Sequence, residues 1–226
     1  MSGFLSSSIA RKVAMALSAL FLIVFLIIHL AVNLVSLFSA EAFNEASHFM
    51  GTNPVIQFAM QPVLIVGVVF HFVMGFVLEL KNRSARNVKY ANYNGAANAS
   101  WMSRNMIISG AVILAFIVLH FIDFWIPEIN TKYILGDMSG VVQGEEGYRY
   151  FAELQHKFQN PLRVGAYVVA FVLLGLHLAH GFQSAFQSMG FNNKYSGFVK
   201  KFGVVYSIVI PLGFIIIALC HHFSNH

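Results

Sequence analysis

Five histidines lie inside long apolar stretches of the sequence, where a titratable side chain is unusual. They are His29, His71, His120, His177 and His180. An imidazole is costly in hydrocarbon, and histidines found there usually bind a ligand, relay protons or line a pathway. A single one can also be a neutral ring that hydrogen-bonds to a neighbouring helix. Five of them on four segments indicate a shared chemical task, and their depth along each segment indicates which one.

The segments that carry these histidines are long enough to cross a membrane. Apolar residues make up 58% of the 226 residues and charged residues only 10%, a composition that excludes an ordinary soluble protein. Each stretch approaches or exceeds the roughly 20 residues that a transmembrane helix needs. We therefore predict an all-α membrane protein, a single integral membrane domain over residues 1–226 that forms a five-helix bundle. The predicted helices cover residues 13–38, 55–80, 105–126, 163–189 and 203–220.

The connections between these helices differ in their charge. The formal net charge is +5, and the basic residues concentrate at the N-terminus and in the second and fourth connections. Lys and Arg beside short loops stay in the cytoplasm, so we predict a cytoplasmic N-terminus and an external C-terminus. Topology and anionic lipid headgroups explain a basic inner face, and docking of an acidic partner is the sharper alternative. Because the charges follow the topology, they do not indicate a nucleic-acid partner.

The third connection is long for a loop without structure of its own. The long connection 127–162 is expected to hold one short interfacial helix, because Phe151, Leu154 and Phe158 recur at helical spacing. The remaining histidines are expected to be solvated: His48 and His156 in loops, and His221, His222 and His226 in an outer tail.

The membrane histidines fall into two levels. With a helical rise of 1.5 Å per residue, His29 and His120 lie about 25 Å from the cytoplasmic ends of their helices, whereas His71 lies about 15 Å from its own. His177 and His180 lie at a comparable inner depth. The sequence therefore predicts an outer and an inner pair, offset by about 10 Å along the membrane normal.

Histidines at matched depth on different helices are the ligand set of a b-type haem, in which each neutral imidazole supplies one axial nitrogen. We therefore expect His29 and His120 to bind an outer haem b, and His71 and His177 to bind an inner one. His180 is the alternative inner ligand. Iron with both axial positions filled favours electron transfer over ligand chemistry, so two such sites predict a short transmembrane electron path.

Small residues beside the inner ligands support this assignment. Gly67 and Gly75 lie four residues before and after His71, and Gly181 lies four residues after His177. Small residues let a bulky group approach a helix closely, so these glycines are expected to leave clearance for a porphyrin. The same offsets from His180 carry bulkier side chains, which is why His177 is preferred.

The ordered histidine pattern resembles a known family of membrane cytochromes. The chain is similar to the dihaem cytochrome b membrane anchor, in its single-subunit b558 form, of the succinate:menaquinone oxidoreductase and quinol:fumarate reductase family. The resemblance covers nearly the whole chain and includes a fifth helix without a central histidine. The doubled histidine in the fourth helix is a departure from the family pattern. The resemblance is carried by Ile28-His29-Leu30, Phe70-His71-Phe72, Leu119-His120-Phe121 and Leu176-His177-Leu178-Ala179-His180-Gly181.

This resemblance implies a role in respiratory complex II of the bacterial inner membrane, as part of a succinate dehydrogenase or fumarate reductase linked to the tricarboxylic acid cycle. A flavoprotein would hold the dicarboxylate site, and an iron–sulfur subunit would dock on the cytoplasmic face. This chain would pass electrons between the iron–sulfur clusters and menaquinone through both haems. The family also implies a quinone site near the outer haem with an acid for proton exchange, for which Glu45 is the nearest match. The direction of electron flow and a dimer of heterotrimers stay open.

Two other functions compete with this one. The cytochrome b subunit of a membrane hydrogenase or formate dehydrogenase also ligates haem with histidines, but its catalytic partners lie outside rather than on a basic cytoplasmic face. A haem-free transporter or proton channel would use the histidines as relays. The matched depths favour haem over a relay.

Overall fold

A computed structural model of the chain describes residues 7–84, 105–141, 147–191 and 193–224. Five helices within these ranges are 28 or 29 residues long and apolar enough to cross a membrane. The predicted all-α architecture with five helices of membrane-spanning length is therefore confirmed. In chain order the helices are α1 (Ser8–Val35), α2 (Ala40–Thr52), α3 (Ile56–Ser84), α4 (Met106–Ile134), α5 (Tyr150–Phe158), α6 (Pro161–Ser188) and α7 (Ser196–Phe223).

Successive long helices run in opposite directions. A Cβ added to Gly75 of α3 would lie 3.7 Å from Met15 of α1, and one added to Gly67 would lie 2.9 Å from the Phe21 ring. Positions that advance along α1 thus recede along α3, so the two helices are antiparallel. The same reversal relates α6 and α7. Gly175 of α6 faces Ser207 of α7, whereas Phe182, later in α6, faces Gly203, earlier in α7.

The tightest packing lies between α1, α6 and α7. Tyr206 of α7 donates its hydroxyl hydrogen to the Ile23 carbonyl of α1 at 2.7 Å, and the rings of Phe171 and Phe214 stack 5.3 Å apart. Buried residues make up 44% of the most apolar stretch of α7 but only 6% for α3 and 11% for α4. The apolar core therefore lies on one side of the bundle, and α3 and α4 pack more loosely on the other.

The helix ends differ from those predicted. The connection expected to begin at residue 127 is still helical as far as Ile134, because α4 continues through Pro127. A π-helical turn, Phe121–Trp125, ends two residues before that proline, and such local adjustments let membrane helices accommodate a residue without an N–H. At the other boundaries, α1 covers Ser8–Val35 rather than 13–38, and α7 begins at Ser196 rather than 203.

Two short helices cover the end of the bundle nearer to His29 and His120, the predicted outer end. The first outer connection is a helix, α2, which Ser39 caps by accepting a hydrogen bond from the Ala42 N–H at 3.1 Å. The helix expected in the long connection is present as α5, with Leu154 and Phe158 buried. Asn44 of α2 donates to the Tyr148 carbonyl at 2.6 Å and so ties α2 to the segment that leads into α5.

The predicted solvated tail was wrong for His221. Because α7 continues to Phe223, His221 lies inside the bundle, where it is 3% exposed and hydrogen-bonds with the Ser36 hydroxyl at 2.8 Å. His222 donates from Nδ1 to the Phe158 carbonyl at 2.8 Å. His226 lies outside the described residues.

Candidate functional site

The outer histidines face each other between α1 and α4. The ring centres of His29 and His120 are 5.8 Å apart, with an angle of 83° between the ring planes. Each ring stacks on the phenylalanine one turn earlier in its own helix: Phe25 lies 5.2 Å from His29, and Phe116 lies 6.0 Å from His120. Phe214 of α7 approaches His29 to 5.6 Å. The outer pair is therefore surrounded mainly by aromatic rings.

The inner histidines face each other between α3 and α6. The ring centres of His71 and His177 are 6.4 Å apart, with an angle of 68° between the ring planes. His180, the alternative inner ligand, is half-buried, and the ring contact with His71 is made by His177 instead. The structure thus brings together the two pairs that the depths in the sequence matched.

The spacing within each pair fits one metal centre held between two imidazoles. Metal–nitrogen bonds are about 2 Å long, so two imidazoles that held one metal between them would have ring centres roughly 6 Å apart. No hydrogen bond joins the two rings of either pair, all four of which belong to the described part of the chain. Across the described ranges, no group of three or more His, Cys, Asp or Glu could hold a metal ion. Each pair offers two nitrogens, which is the number that a bis-histidine haem takes from a protein.

The two levels are farther apart than expected. His71 contacts Ser18 of α1 at 3.1 Å, and Ser18 precedes His29 by eleven residues in the same helix. At 1.5 Å per residue the levels are separated by about 16 Å along α1, rather than by the roughly 10 Å that counting from the charged helix ends suggests. The spacing along α4 is the same, because His177 contacts Ser109 at 3.2 Å and Ser109 lies eleven residues before His120.

The three glycines expected to leave clearance for porphyrin all face side chains of neighbouring helices. Gly67 faces Phe21 and Gly75 faces Met15, both on α1, while a Cβ at Gly181 would lie 3.4 Å from Met106 of α4. Only the Gly67 contact is too close for an added methyl group. Sequence reasoning overlooked Gly110, where an added Cβ would lie 3.6 Å from the His177 ring.

A buried carboxylate lies one turn beyond the outer pair. Asp123 belongs to the π-helical turn that follows His120 and is 2% exposed. Its Oδ2 accepts a hydrogen bond from the Tyr167 hydroxyl at 2.8 Å and lies 3.2 Å from Nε of Arg163. Its Oδ1 has no hydrogen-bond partner among the described residues. Asp123 was not among the site residues predicted from the sequence, although an acid three residues after a membrane histidine is itself a signal.

Asp123 also lines a cavity of about 320 Å³ at the outer end, which Arg149, Glu153 and His156 border as well. By contrast, Glu45 lies on α2 with its side chain exposed. Asp123 and Glu45 therefore differ in access to solvent, and of these two Asp123 is the one within the bundle.

Buried charges hold α2 and α5 against the extension of α4. Lys132, whose side chain is 1% exposed, lies 2.5 Å from the Glu128 carboxylate and donates to the Gly51 carbonyl of α2. Arg149 pairs with Glu128 and, at 2.6 Å, with Glu153 of α5. Each buried cation thus has an acidic partner, as buried charges require.

This ion cluster shifts the pKa of two neighbouring side chains. Burial and the Glu128 carboxylate raise the pKa of Tyr150 to about 12, so its hydroxyl stays protonated at neutral pH. Burial and the ammonium group of Lys132 lower the pKa of His48, which keeps its ring neutral. The neutral His48 ring stacks on Tyr148 at 4.0 Å, and these contacts place His48 in the outer cover rather than in a solvated loop.

The two serines were also overlooked, although the sequence carries a signal for them. Helix α1 contains Met15, Ser18, Phe25 and His29, and α4 contains Met106, Ser109, Phe116 and His120 at identical spacing. Eleven residues are slightly more than three helical turns, so the serine and the histidine of each helix lie on one face. The pattern M-x2-S-x6-F-x3-H is thus an internal repeat that joins the two levels.

Comparisons of the chain with protein-family models, with curated proteins and with solved structures found no match.

Proposed function

We propose that this chain is the membrane anchor and dihaem cytochrome b subunit of a succinate:menaquinone oxidoreductase or quinol:fumarate reductase. The observation that carries the proposal is the presence of two facing histidine pairs, spaced for a metal centre, at two depths of one bundle. His71 and His177 of the inner pair face each other at 6.4 Å, and His29 and His120 of the outer pair at 5.8 Å. A haem iron with two imidazole ligands supplies one-electron transfer without an open coordination site.

The protein's own residues would supply the haem ligands, set the distance between the two levels and shield the outer pair from water. Because α1 and α4 each carry an outer histidine and a serine that contacts an inner histidine, two rigid helices set the distance between the levels. Phe25, Phe116 and Phe214 surround the outer pair and exclude water from it. The bundle therefore holds two redox sites about 16 Å apart across the apolar region.

The inner end is the docking side in this proposal. Exposed cations begin α1, end α3 and begin α7, and the helix directions place these three ends together. This face would receive an iron–sulfur subunit that carries a flavoprotein, on the cytoplasmic side of a bacterial inner membrane. The described exposed cations are Lys12, Lys81, Arg83, Lys194, Lys200 and Lys201, while Arg86, Lys89 and Arg104 lie outside the described residues.

Proton exchange with menaquinone belongs to the outer end. Asp123 is buried next to the outer histidines and lines a cavity, and Glu45 is exposed on α2. A carboxylate within reach of a reduced quinone can act as a general acid or base. In this proposal Asp123 does so inside the bundle and Glu45 at its surface.

Haem stoichiometry tests the proposal. We expect the purified full-length chain to give a sharp reduced-minus-oxidised spectrum of b-type haem, and a pyridine haemochrome assay to find two haems per chain. A chain expressed in haem-replete cells that contains no haem would overturn the proposal and turn the four histidines into candidate proton relays.

A further inference from the structure

We propose that Ser18 and Ser109 set the tautomer of the two inner histidines, so that each ring presents an unprotonated Nε2 to the space between them. Both serines are buried in the membrane region, with 9% and 8% exposure. The Ser18 hydroxyl lies 3.1 Å from Nδ1 of His71, and the Ser109 hydroxyl lies 3.2 Å from Nδ1 of His177. Both distances fall within the normal range for an N–H···O hydrogen bond.

The direction of these bonds follows from the single hydrogen of a serine hydroxyl. Ser18 donates that hydrogen to the Met15 carbonyl at 2.8 Å, and Ser109 donates its own to the Met106 carbonyl at 2.9 Å. Each hydroxyl oxygen can then only accept from the histidine. A neutral imidazole that donates from Nδ1 carries no hydrogen on Nε2, and an unprotonated nitrogen is what a metal requires.

The internal repeat is a second, independent observation. The methionine that accepts the serine hydrogen lies three residues before the serine in both α1 and α4. In both halves the same methionine side chain faces the glycine four residues after the inner histidine: Met15 faces Gly75, and Met106 faces Gly181. The same set of methionine, serine and glycine contacts thus surrounds both inner histidines, His71 from α1 and His177 from α4.

The outer histidines lack this device. Nδ1 of His120 is buried and has no hydrogen-bond partner among the described residues. Nδ1 of His29 lies 3.5 Å from the Asn33 amide nitrogen, which is too long to fix a tautomer. Asn33 uses its amide to donate to the His29 carbonyl at 2.8 Å. Tautomer control is therefore a property of the inner level.

The identity of the bound metal centre rests on the proposed function, but the tautomer does not. Ser18 and Ser109 are positioning residues that act through the histidines. Partners that orient metal-binding histidines typically change metal affinity by about 10- to 100-fold when they are removed. We therefore expect the Ser18→Ala and Ser109→Ala variants to bind haem at the inner site with a dissociation constant about 10- to 100-fold higher than that of the wild type.

The first readout is a redox titration of both haems in the purified full-length chain. A hydrogen bond from Nδ1 makes the imidazole a stronger donor to the metal, so its loss should raise the midpoint potential of the inner haem and leave the outer one unchanged. Ser18→Thr keeps a hydroxyl and should restore the wild-type value. The matched control is Ser207→Ala in α7, because Ser207 is also buried and donates to the carbonyl three residues earlier, at 2.8 Å.

The second readout needs no haem. In the ¹⁵N-histidine-labelled full-length chain prepared without haem, nuclear magnetic resonance should show His71 and His177 protonated on Nδ1 only. Ser18→Ala should abolish this preference at His71 but not at His177, and Ser109→Ala should do the reverse. A wild-type chain with these rings protonated on Nε2, or alanine variants with unchanged spectra and potentials, would overturn the inference. Absence of haem from the wild type would overturn only the proposed function.

Discussion

The inner and the outer histidine pair each lie between two long helices, but different contacts orient their rings. At the inner level, buried hydroxyls contact both rings through Nδ1. At the outer level, packing against aromatic rings orients His29 and His120, and a buried carboxylate, Asp123, lies one turn away. In the proposed function, two haem sites with the same ligand type would thus differ in what orients the ligand and in what charge lies nearby, and both properties tune a redox centre.

Removal of a ligand histidine should have the largest effect, because it should empty one of the two levels and leave the other intact. We expect His71→Ala and His177→Ala each to reduce the haem content from two to one by emptying the inner site, because a bis-histidine site needs both nitrogens. His29→Ala and His120→Ala should empty the outer site instead. Haem content per chain and the difference spectrum measure these losses. His180→Ala is the control, and a haem lost from that variant but not from His177→Ala would contradict the ligand assignment.

The next largest effect concerns the outer end alone. Positioned general acids and bases contribute about 100-fold or more to a rate, so Asp123→Asn should lower menaquinone turnover about 100-fold while both haems remain. Glu45→Gln should lower turnover by a smaller factor, because its side chain is already exposed. Turnover with a soluble menaquinone analogue across a pH series measures both effects.

Normal turnover in Glu45→Gln would show that this residue takes no part in proton exchange with the quinone. Normal turnover in Asp123→Asn would show the same for Asp123. Loss of the outer haem from Asp123→Asn would show instead that its contacts with Tyr167 and Arg163 serve the structure.

The smallest effect separates two glycines at the inner level. Gly67→Ala should destabilise the chain by about 1–3 kcal/mol through overpacking, because the new methyl group would lie 2.9 Å from the Phe21 ring. Gly75→Ala should be tolerated, since its nearest neighbour would be 3.7 Å away. Thermal unfolding in detergent measures the difference, and equal midpoints would contradict it. A stable Gly75→Ala variant without inner haem would support the prediction that Gly75 leaves space for a porphyrin.

Much of the fold was legible in the sequence, whereas helix ends and the outer cover were not. Hydropathy alone identified the five long helices, because each apolar run approaches or exceeds the roughly 20 residues that cross a membrane. It did not show that α4 continues through Pro127, since the π-helical turn that accommodates the proline depends on packing. Nor did it show that His221 is buried, because that depends on contact with Ser36, far away in the chain.

The sequence by itself predicted which histidines lie at matching levels, because position along a helix follows from residue number at a constant rise, although it underestimated the distance between the two levels. It therefore predicted which helices carry the outer and the inner histidines. Only the tertiary structure decided that His177 rather than His180 faces His71, and that Ser18 and Ser109 reach the inner rings. Both depend on the rotation of each helix about its own axis, which hydropathy leaves undetermined and packing between helices establishes.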